Sequence, residues 1–308
     1  AGFDQQPNCA TVTHQGYSFE QPLTGTGNLI RAIRKTLSTS HRASGKVGLE
    51  ERYVPAAISA AFLDTLPAGK NWMPIDDLLA SLRQIKTDEE VAKLKNNFTL
   101  ADIGQAAARG AVRAGKREID AWNAAHSVIQ QAAGCRVPLG NDCVVGRREV
   151  NFTGWPLDYE IKSGDSLIVD LGTGLDGYWS DGCATYYPGE PSQEQVAMHQ
   201  TVSNALELAI SLVRPGVKVS EIDSQVRRLI TGAGYPEYPH HTGHGVGVSS
   251  HEAPRIVPYS EQVLEEGMVI MLEPGIYLPG ETAVRLEDGL LVTAGGAEVL
   301  THHDKGLP

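Results

Sequence analysis

Cysteines, long apolar runs and positive charge are all scarce in this sequence of 308 residues. The four cysteines lie far apart and form no CxxC pair, a pattern that favours neither a disulfide framework nor a zinc knuckle; they are Cys9, Cys135, Cys143 and Cys183. No apolar run approaches the roughly 18 residues of a membrane span, and the first residues lack the charged-then-apolar order of a signal peptide. We therefore expect a protein of the reducing cytoplasm with no membrane partner.

The charge balance narrows the possible partners further. Lys and Arg number 26 against 37 Asp and Glu, which gives a formal net charge of −11. Proteins that bind nucleic acids or anionic lipids need a basic face, so we expect neither partner and favour a small or cationic one. With 41% hydrophobic and 20% charged residues, the chain can bury a globular core, and its length predicts two domains or one large one.

The sequence contains an internal duplication. The triplet Glu118-Ile119-Asp120 recurs as Glu221-Ile222-Asp223, an offset of 103 residues. Residues 164–172 (GDSLIVDLG) recur at the same offset as residues 267–275 (GMVIMLEPG). One shared offset for two separate matches predicts a domain built from two halves between about residues 88 and 300, each with helices followed by a strand.

Local patterns predict a mixed α+β domain. Capping boxes open two predicted helices, at Thr87 to Glu90 and at Ser192 to Gln195. Short apolar runs bounded by Gly, Pro or charged residues predict strands at 166–169, 268–272 and 290–293. Residues 1–86 form a separate segment with no concentration of ionisable groups, and we expect it to have a structural or dimer-forming role.

Four acidic residues end or interrupt these apolar runs. Asp170 closes one strand and Asp181 follows eleven residues later, past a Gly-rich turn. Taken alone, these two are also consistent with solvated turn residues. However, Glu273 occupies the place of Asp170 in the repeat, and Glu287 lies within AVRLEDGLLV. Carboxylates in such apolar strands are costly to bury without compensation. Two divalent cations would balance the four charges and leave room for a bridging hydroxide.

Histidines are concentrated in one segment, HHTGHGVGVSSHE, which begins at His240 and includes His241, His244 and His251. A neutral imidazole is the commonest nitrogen ligand of protein-bound metals. His240 or His251 alone would be ordinary surface histidines, but the cluster favours His244 as a metal ligand.

These motifs together resemble metallopeptidase family M24, the pita-bread family, and within it the branch of Xaa-Pro dipeptidases (prolidases) and aminopeptidases P. The resemblance covers roughly residues 82–300 and is carried by four motifs: the two Asp eleven apart, His-x3-His-x6-His from 240 to 251, LEPGIY at 272–277 and VRLED at 284–288.

The resemblance implies a fold, a domain order and a ligand set. The expected fold is α+β, with a pita-bread catalytic domain of internal pseudo-twofold symmetry at residues 87–308. A smaller α/β creatinase-like domain is expected at residues 1–86, and a homodimer is the expected assembly. The implied ligands are Asp170 on one metal, His244 and Glu273 on the other, and Asp181 and Glu287 bridging both.

The resemblance also implies an activity and further roles. It implies cleavage of the peptide bond before proline through a metal-bridging hydroxide, with manganese as the preferred metal and cobalt, zinc or iron as alternatives. Glu273 would shuttle a proton to the leaving nitrogen, and His240 and His251 would donate to the carbonyl oxygen. Arg285 and Tyr277 would orient ligands or substrate.

The sequence departs from the family pattern at two places. The family carries a substrate-side His about seventeen residues before the first metal Asp, where this chain has Thr153, and an Arg where this chain has Ala184. Two alternatives therefore stay open beside the Xaa-Pro hydrolase. One is a metal-dependent hydrolase of the same fold that cleaves a C–N bond in a non-proline amide or cyclic amidine. The other is a non-catalytic binding module.

Overall fold

A computed structural model of the chain describes residues 12–20, 22, 24–39, 46–66, 72–140, 142–148 and 153–307. Cys9 lies outside these residues. The chain divides into two compact units, Ala1–Ala80 and Ser81–Pro308. No helix in the described ranges combines the length and the apolar character that crossing a bilayer requires.

The first unit contains a short parallel strand pair and helices. Its described elements are α1 (Gly25–Thr39), β1 (Val47–Leu49), α2 (Ala56–Thr65) and β2 (Trp72–Pro74), followed by α3 (Asp76–Gln84), which contains the boundary between the units. Val47 of β1 pairs with Trp72 of β2 in parallel register. The domain boundary at residues 86 and 87, and a creatinase-like fold for the first segment, stay predictions.

The second unit begins with two helices and a set of short strands. These elements are α4 (Asp88–Ala111), α5 (Glu118–Ala133), β3 (Leu139–Gly140), β4 (Cys143–Val145), a 3₁₀ helix (Gly146–Arg148), β5 (Leu167–Asp170), β6 (Gly172–Leu175), β7 (Tyr178–Trp179) and β8 (Cys183–Tyr186).

The remainder of the second unit repeats this order. It comprises α6 (Gln193–Leu212), α7 (Val219–Gly232), β9 (Gly243–Gly245), β10 (Glu252–Ile256), β11 (Val269–Leu272), β12 (Gly275–Leu278), β13 (Thr282–Arg285), β14 (Asp288–Thr293) and β15 (Gly296–Val299).

The two halves of this unit share one topology. Strands β4, β5 and β8 form an antiparallel sheet in that order, and β9, β11 and β14 have the same order within a five-stranded sheet. Each half also has a hairpin after its central strand, β6 with β7 and β12 with β13, and β3 adds a third strand to the first of them. This is the arrangement that the duplication in the sequence predicts.

Local sequence explains where the long helices begin. The Thr87 hydroxyl accepts a hydrogen bond from the Glu90 N–H, and the Glu90 carboxylate accepts one from the Thr87 N–H at 2.8 Å. Ser192 and Gln195 form the same reciprocal pair at the start of α6. Both predicted capping boxes are therefore present, and each satisfies amide donors that a helix start leaves unpaired.

The central strands are buried on both faces, which is why they read as continuous apolar runs. In β5, Leu167 and Val169 pack with α4 and α5, whereas Ile168 joins the cluster formed by α6 and α7. In β11, Ile270 joins the same cluster with α6 and α7, and Val269 packs with Leu94 of α4. Helices thus fix both central strands, and the acidic residue at the end of each strand is held by that packing.

Candidate metal centre

The five side chains that the sequence selects as metal ligands line one cavity of about 340 Å³. Asp170 is the last residue of β5, and Glu273 directly follows β11, the equivalent strand of the other half. Asp181 precedes β8, Glu287 precedes β14, and His244 is the middle residue of β9. The structure therefore brings together residues that come from both halves of the duplication.

His244 is surrounded by carboxylates. Its Nε2 atom lies 3.5 Å from Glu273 Oε1 and 3.9 Å from both Asp181 Oδ2 and Glu287 Oε1. Its Nδ1 atom lies 3.0 Å from the carbonyl oxygen of Gly245. We assign the ring proton to Nδ1, because this carbonyl can only accept, and the lone pair of Nε2 then points at the carboxylates.

Two of the carboxyl groups are strongly perturbed. Burial raises the pKa of Asp181 well above its ordinary value, and the neighbouring Asp170 raises it further. Burial likewise raises the pKa of Glu287, with Asp181 as the next cause. The pKa of Asp170 is raised to about 6, chiefly by burial, although Arg285 opposes the shift. Burial and the mutual repulsion of the carboxylates thus both disfavour the ionised forms in the protein without a bound cation.

Glu273 differs because imidazoles surround it. Burial alone would raise its pKa, but the neighbouring His241, His240 and His244 hold the pKa of Glu273 below its usual range. The closest contact joins His241 Nε2 to Glu273 Oε1 at 2.8 Å. Glu273 is therefore the carboxylate most ready to remain ionised.

The donor set fits divalent cations. Four carboxylates and one neutral imidazole form an oxygen-rich site of the type that manganese, iron, cobalt and zinc accept. Burial lowers the pKa of His244 to about 3, so the ring is neutral and able to ligate. Glu287 Oε2 is buried and has no hydrogen-bond partner among the described residues, an atom that a bound cation would satisfy.

Arg285, Tyr277 and His240 form a chain of hydrogen bonds beside this cluster. Arg285 Nη2 donates to Asp170 Oδ2 at 2.7 Å, and Arg285 Nη1 donates to the Tyr277 hydroxyl at 3.2 Å. That hydroxyl lies 2.8 Å from His240 Nε2, while His240 Nδ1 lies 2.7 Å from the carbonyl oxygen of His241. Both ring nitrogens of His240 are thus engaged within the protein. This arrangement indicates that His240 holds the Tyr277 hydroxyl, and through it Arg285, in place. The predicted role of His240 as a donor to the substrate stays a prediction.

His251 lies across the cavity on the stretch before β10. Its ring stacks on that of His244 with centroids 3.9 Å apart. Burial is the main cause that lowers the pKa of His251 to about 4, so the ring is neutral at pH 7. A neutral imidazole can donate one hydrogen bond to a bound molecule, and the donor role predicted for His251 stays a prediction.

Two ionisable residues of the cavity have no role that the sequence predicts. His241 belongs to the histidine cluster and contacts Glu273. Asp142 lines the cavity and accepts a hydrogen bond from Arg285 Nη2 at 2.9 Å. The histidine cluster could have pointed to His241, whereas no local pattern points to Asp142.

Comparison with known proteins agrees with this geometry. Residues 92–294 match the model of metallopeptidase family M24. The chain is 37% identical over 240 residues to the Xaa-Pro dipeptidase of Pyrococcus furiosus, covering 77% of this chain and 69% of that protein. It is 35% identical to a protein named an uncharacterized peptidase in Staphylococcus aureus strain USA300, covering 75% of this chain and 66% of that one. The chain thus spans about two thirds of the length of these relatives.

Solved structures show the same fold. The Xaa-Pro dipeptidase from Bacillus anthracis superposes with a TM-score of 0.83 at 31% identity, covering 90% of this chain and 78% of that one. The prolidase from Pyrococcus furiosus gives a TM-score of 0.79 at 32% identity, covering 85% and 78%. The predicted pita-bread fold, and the prediction of an enzyme of this metal-dependent hydrolase family, are confirmed by these similarities. The chain belongs to metallopeptidase family M24.

Proposed function

We propose that this chain is a dinuclear metal-dependent hydrolase that cleaves the peptide bond before proline, as an Xaa-Pro dipeptidase or an aminopeptidase P. The observation that carries the proposal is the convergence of four carboxylates and a neutral imidazole in one cavity, where no lysine or arginine among the described residues forms an ion pair with Asp181 or Glu287. The names of the Pyrococcus furiosus and Bacillus anthracis relatives support the substrate class.

The proposed ligand set assigns Asp170 to one metal, His244 and Glu273 to the other, and Asp181 and Glu287 to both. When bound, two such cations lower the pKa of a shared water and polarise a scissile carbonyl. Manganese is our preferred metal, with cobalt, zinc and iron as alternatives, since the donor set does not distinguish among them. The charges of two divalent cations equal those of the four carboxylates.

The remaining roles belong to the side chains around the ligands. Glu273 is the proposed proton shuttle to the leaving nitrogen, and its imidazole neighbours keep the carboxylate in the ionised form that can accept a proton. His241 holds one Glu273 oxygen in place through the 2.8 Å contact. His251 is neutral and lies at the cavity, where its N–H would stabilise charge that develops on the carbonyl oxygen.

The cavity favours a small substrate. Its volume of about 340 Å³ lies at the lower end of the range for small-molecule sites, which suits a dipeptide better than a long peptide. Thr153 lines the cavity where the family carries a histidine, and this residue keeps a second candidate open. That candidate is hydrolysis of a C–N bond in a non-proline amide or cyclic amidine by the same metal centre.

Elemental analysis and a substrate panel test the proposal together. We expect two divalent metal ions per chain, and release of proline from Xaa-Pro dipeptides in preference to longer Xaa-Pro-Yaa peptides and non-proline amides. Asp181→Ala should lose both metal and turnover. A metal-loaded protein that cleaves only non-proline amides would select the second candidate. Full activity in Asp181→Ala, or a protein that takes up no metal, would refute both.

A further inference from the structure

Asp142 and Asp170 lie side by side on neighbouring strands. The register of β4 and β5 pairs Cys143 with Val169, which makes Asp142 and Asp170 the next cross-strand pair. The Asp170 N–H donates to the carbonyl oxygen of Asp142 at 2.9 Å, in agreement with this register. Like charges directly opposite each other in a sheet are destabilising, so this pair requires a cation between the two carboxylates.

Arg285 is that cation. One nitrogen of its guanidinium, Nη2, donates to Asp142 Oδ2 at 2.9 Å and to Asp170 Oδ2 at 2.7 Å. The Arg285 side chain is 3% exposed, so its charge must be compensated within the protein. If Asp170 were its sole counter-charge, that carboxylate would be neutralised by the guanidinium. Asp142 supplies the second negative charge and leaves the charge of Asp170 available for a metal.

Thr153 fixes the orientation of Asp142. The Thr153 hydroxyl donates to Asp142 Oδ1 at 2.6 Å, and the Gly154 N–H donates to the same oxygen at 3.2 Å. These two donors hold Oδ1, so that Oδ2 faces Arg285. Thr153 therefore belongs to the same hydrogen-bonded unit as Asp142, Arg285 and Asp170.

We propose that Asp142 is a positioning residue for the metal centre: with Thr153 it holds and neutralises Arg285, so that the guanidinium does not cancel the negative charge of Asp170, which stays available to a divalent cation. This inference rests on the proposed dinuclear site. Removal of the Asp142 charge would weaken cation binding in two ways, because Arg285 would compete more strongly for Asp170 and because one negative charge near the metals would be lost. Partners of metal ligands typically change metal affinity by about 10- to 100-fold when replaced.

Mn²⁺ titration of the chelator-treated full chain tests the inference without any substrate. The isosteric variant Asp142→Asn removes the charge and keeps the shape, and calorimetry with electron paramagnetic resonance gives the number and affinity of bound ions. The matched control is Asp165→Asn, because Asp165 is also a buried carboxylate paired with an arginine, Arg147, but lies outside the cavity. We expect Asp142→Asn to lose about 10-fold or more in affinity for one of two ions, and Asp165→Asn to bind as the wild type.

The outcomes separate this inference from the proposed function. Wild-type affinity for both ions in Asp142→Asn, or an equal loss for both ions, overturns the positioning role while the dinuclear site stands. A wild-type protein that binds no Mn²⁺ refutes the dinuclear site and this inference with it. If Asp142→Asn does not fold, Thr153→Val decides, because Thr153 is exposed and its replacement spares the charge. We expect Thr153→Val to lose about threefold in affinity for one Mn²⁺ ion, as for a weakened hydrogen bond. Unchanged affinity would overturn the positioning role of Asp142 and Thr153.

Discussion

The buried carboxylates of the metal centre should destabilise the metal-free protein, and Asp181→Asn measures this cost. The ligand oxygens of Asp181 and Glu287 lie within 4.8 Å of each other. At an effective dielectric constant of about 20, two unit charges at that separation repel by about 3.5 kcal/mol. This is the upper limit of the cost, because the raised pKa values of Asp181 and Glu287 let the pair retain a proton instead. Asn keeps the oxygen that accepts from the Gly182 N–H and removes the charge. The metal-free variant should therefore be more stable than the metal-free wild type.

Thermal unfolding of the chelator-treated proteins, with and without Mn²⁺, gives the assay. A gain of up to about 3.5 kcal/mol corresponds to a rise in Tm of up to roughly 7 to 14 °C for a unit of this size. Saturating Mn²⁺ should reverse the order, because a ligand at about 1,000 times its Kd stabilises the wild type by about 4 kcal/mol, whereas Asp181→Asn lacks a carboxylate that we propose as a bridging ligand.

Asp165→Asn is the matched control for this measurement. It removes a buried carboxylate that Arg147 already compensates, so the free energy of unfolding should fall by the same amount with and without Mn²⁺. A metal-free Asp181→Asn that is less stable than the metal-free wild type would contradict the reasoning. Equal stabilisation of the wild type and Asp181→Asn by Mn²⁺ would contradict it as well.

Three further substitutions test the supports of the site. Lys86→Met should lower the free energy of unfolding by about 3 to 5 kcal/mol, because it leaves Glu252 without its cation; Glu252 Oε1 lies 2.6 Å from the buried Lys86 ammonium. Denaturant unfolding measures this loss, and the double variant with Glu252→Gln should recover stability. Gly243→Ala should cost about 3 kcal/mol or more and weaken Mn²⁺ binding, since the new Cβ would lie 2.0 Å from the Met271 carbonyl oxygen; a wild-type Tm would contradict this. Thr87→Ala should cost about 1 kcal/mol through loss of the α4 cap, with Mn²⁺ affinity unchanged in the same titration.

Much of the fold followed from local signals. The capping boxes at Thr87 and Ser192 predicted helix starts that the structure has, because their hydrogen bonds involve residues three apart in the chain. The apolar run at 166–169 corresponds to β5, which is shifted by one residue so that Asp170 is its last member. Boundaries of this kind depend on strand pairing, which a single segment does not specify.

Residues of the candidate site could be predicted from the sequence where their residue type is unusual for the surrounding sequence. Glu273 and Glu287 stand out because charged residues are rare in apolar strands, and the structure places both in the cavity. Asp142 carries no such signal, since an acid in a Gly-Asn-Asp stretch reads as a turn residue. His240 differs from Asp142, because the sequence did predict it as a site residue. Its contact with the Tyr277 hydroxyl could not be predicted from the sequence.

The sequence by itself determined the two-half architecture and predicted a set of ligand residues, because a repeated offset and a costly buried charge are both visible along one chain. The tertiary structure decided which charges meet. Arg285 lies between Asp142 and Asp170, which are 143 and 115 residues away from it in the chain. Contacts over such separations depend on how the strands of both halves pack, and this register is set by the whole core.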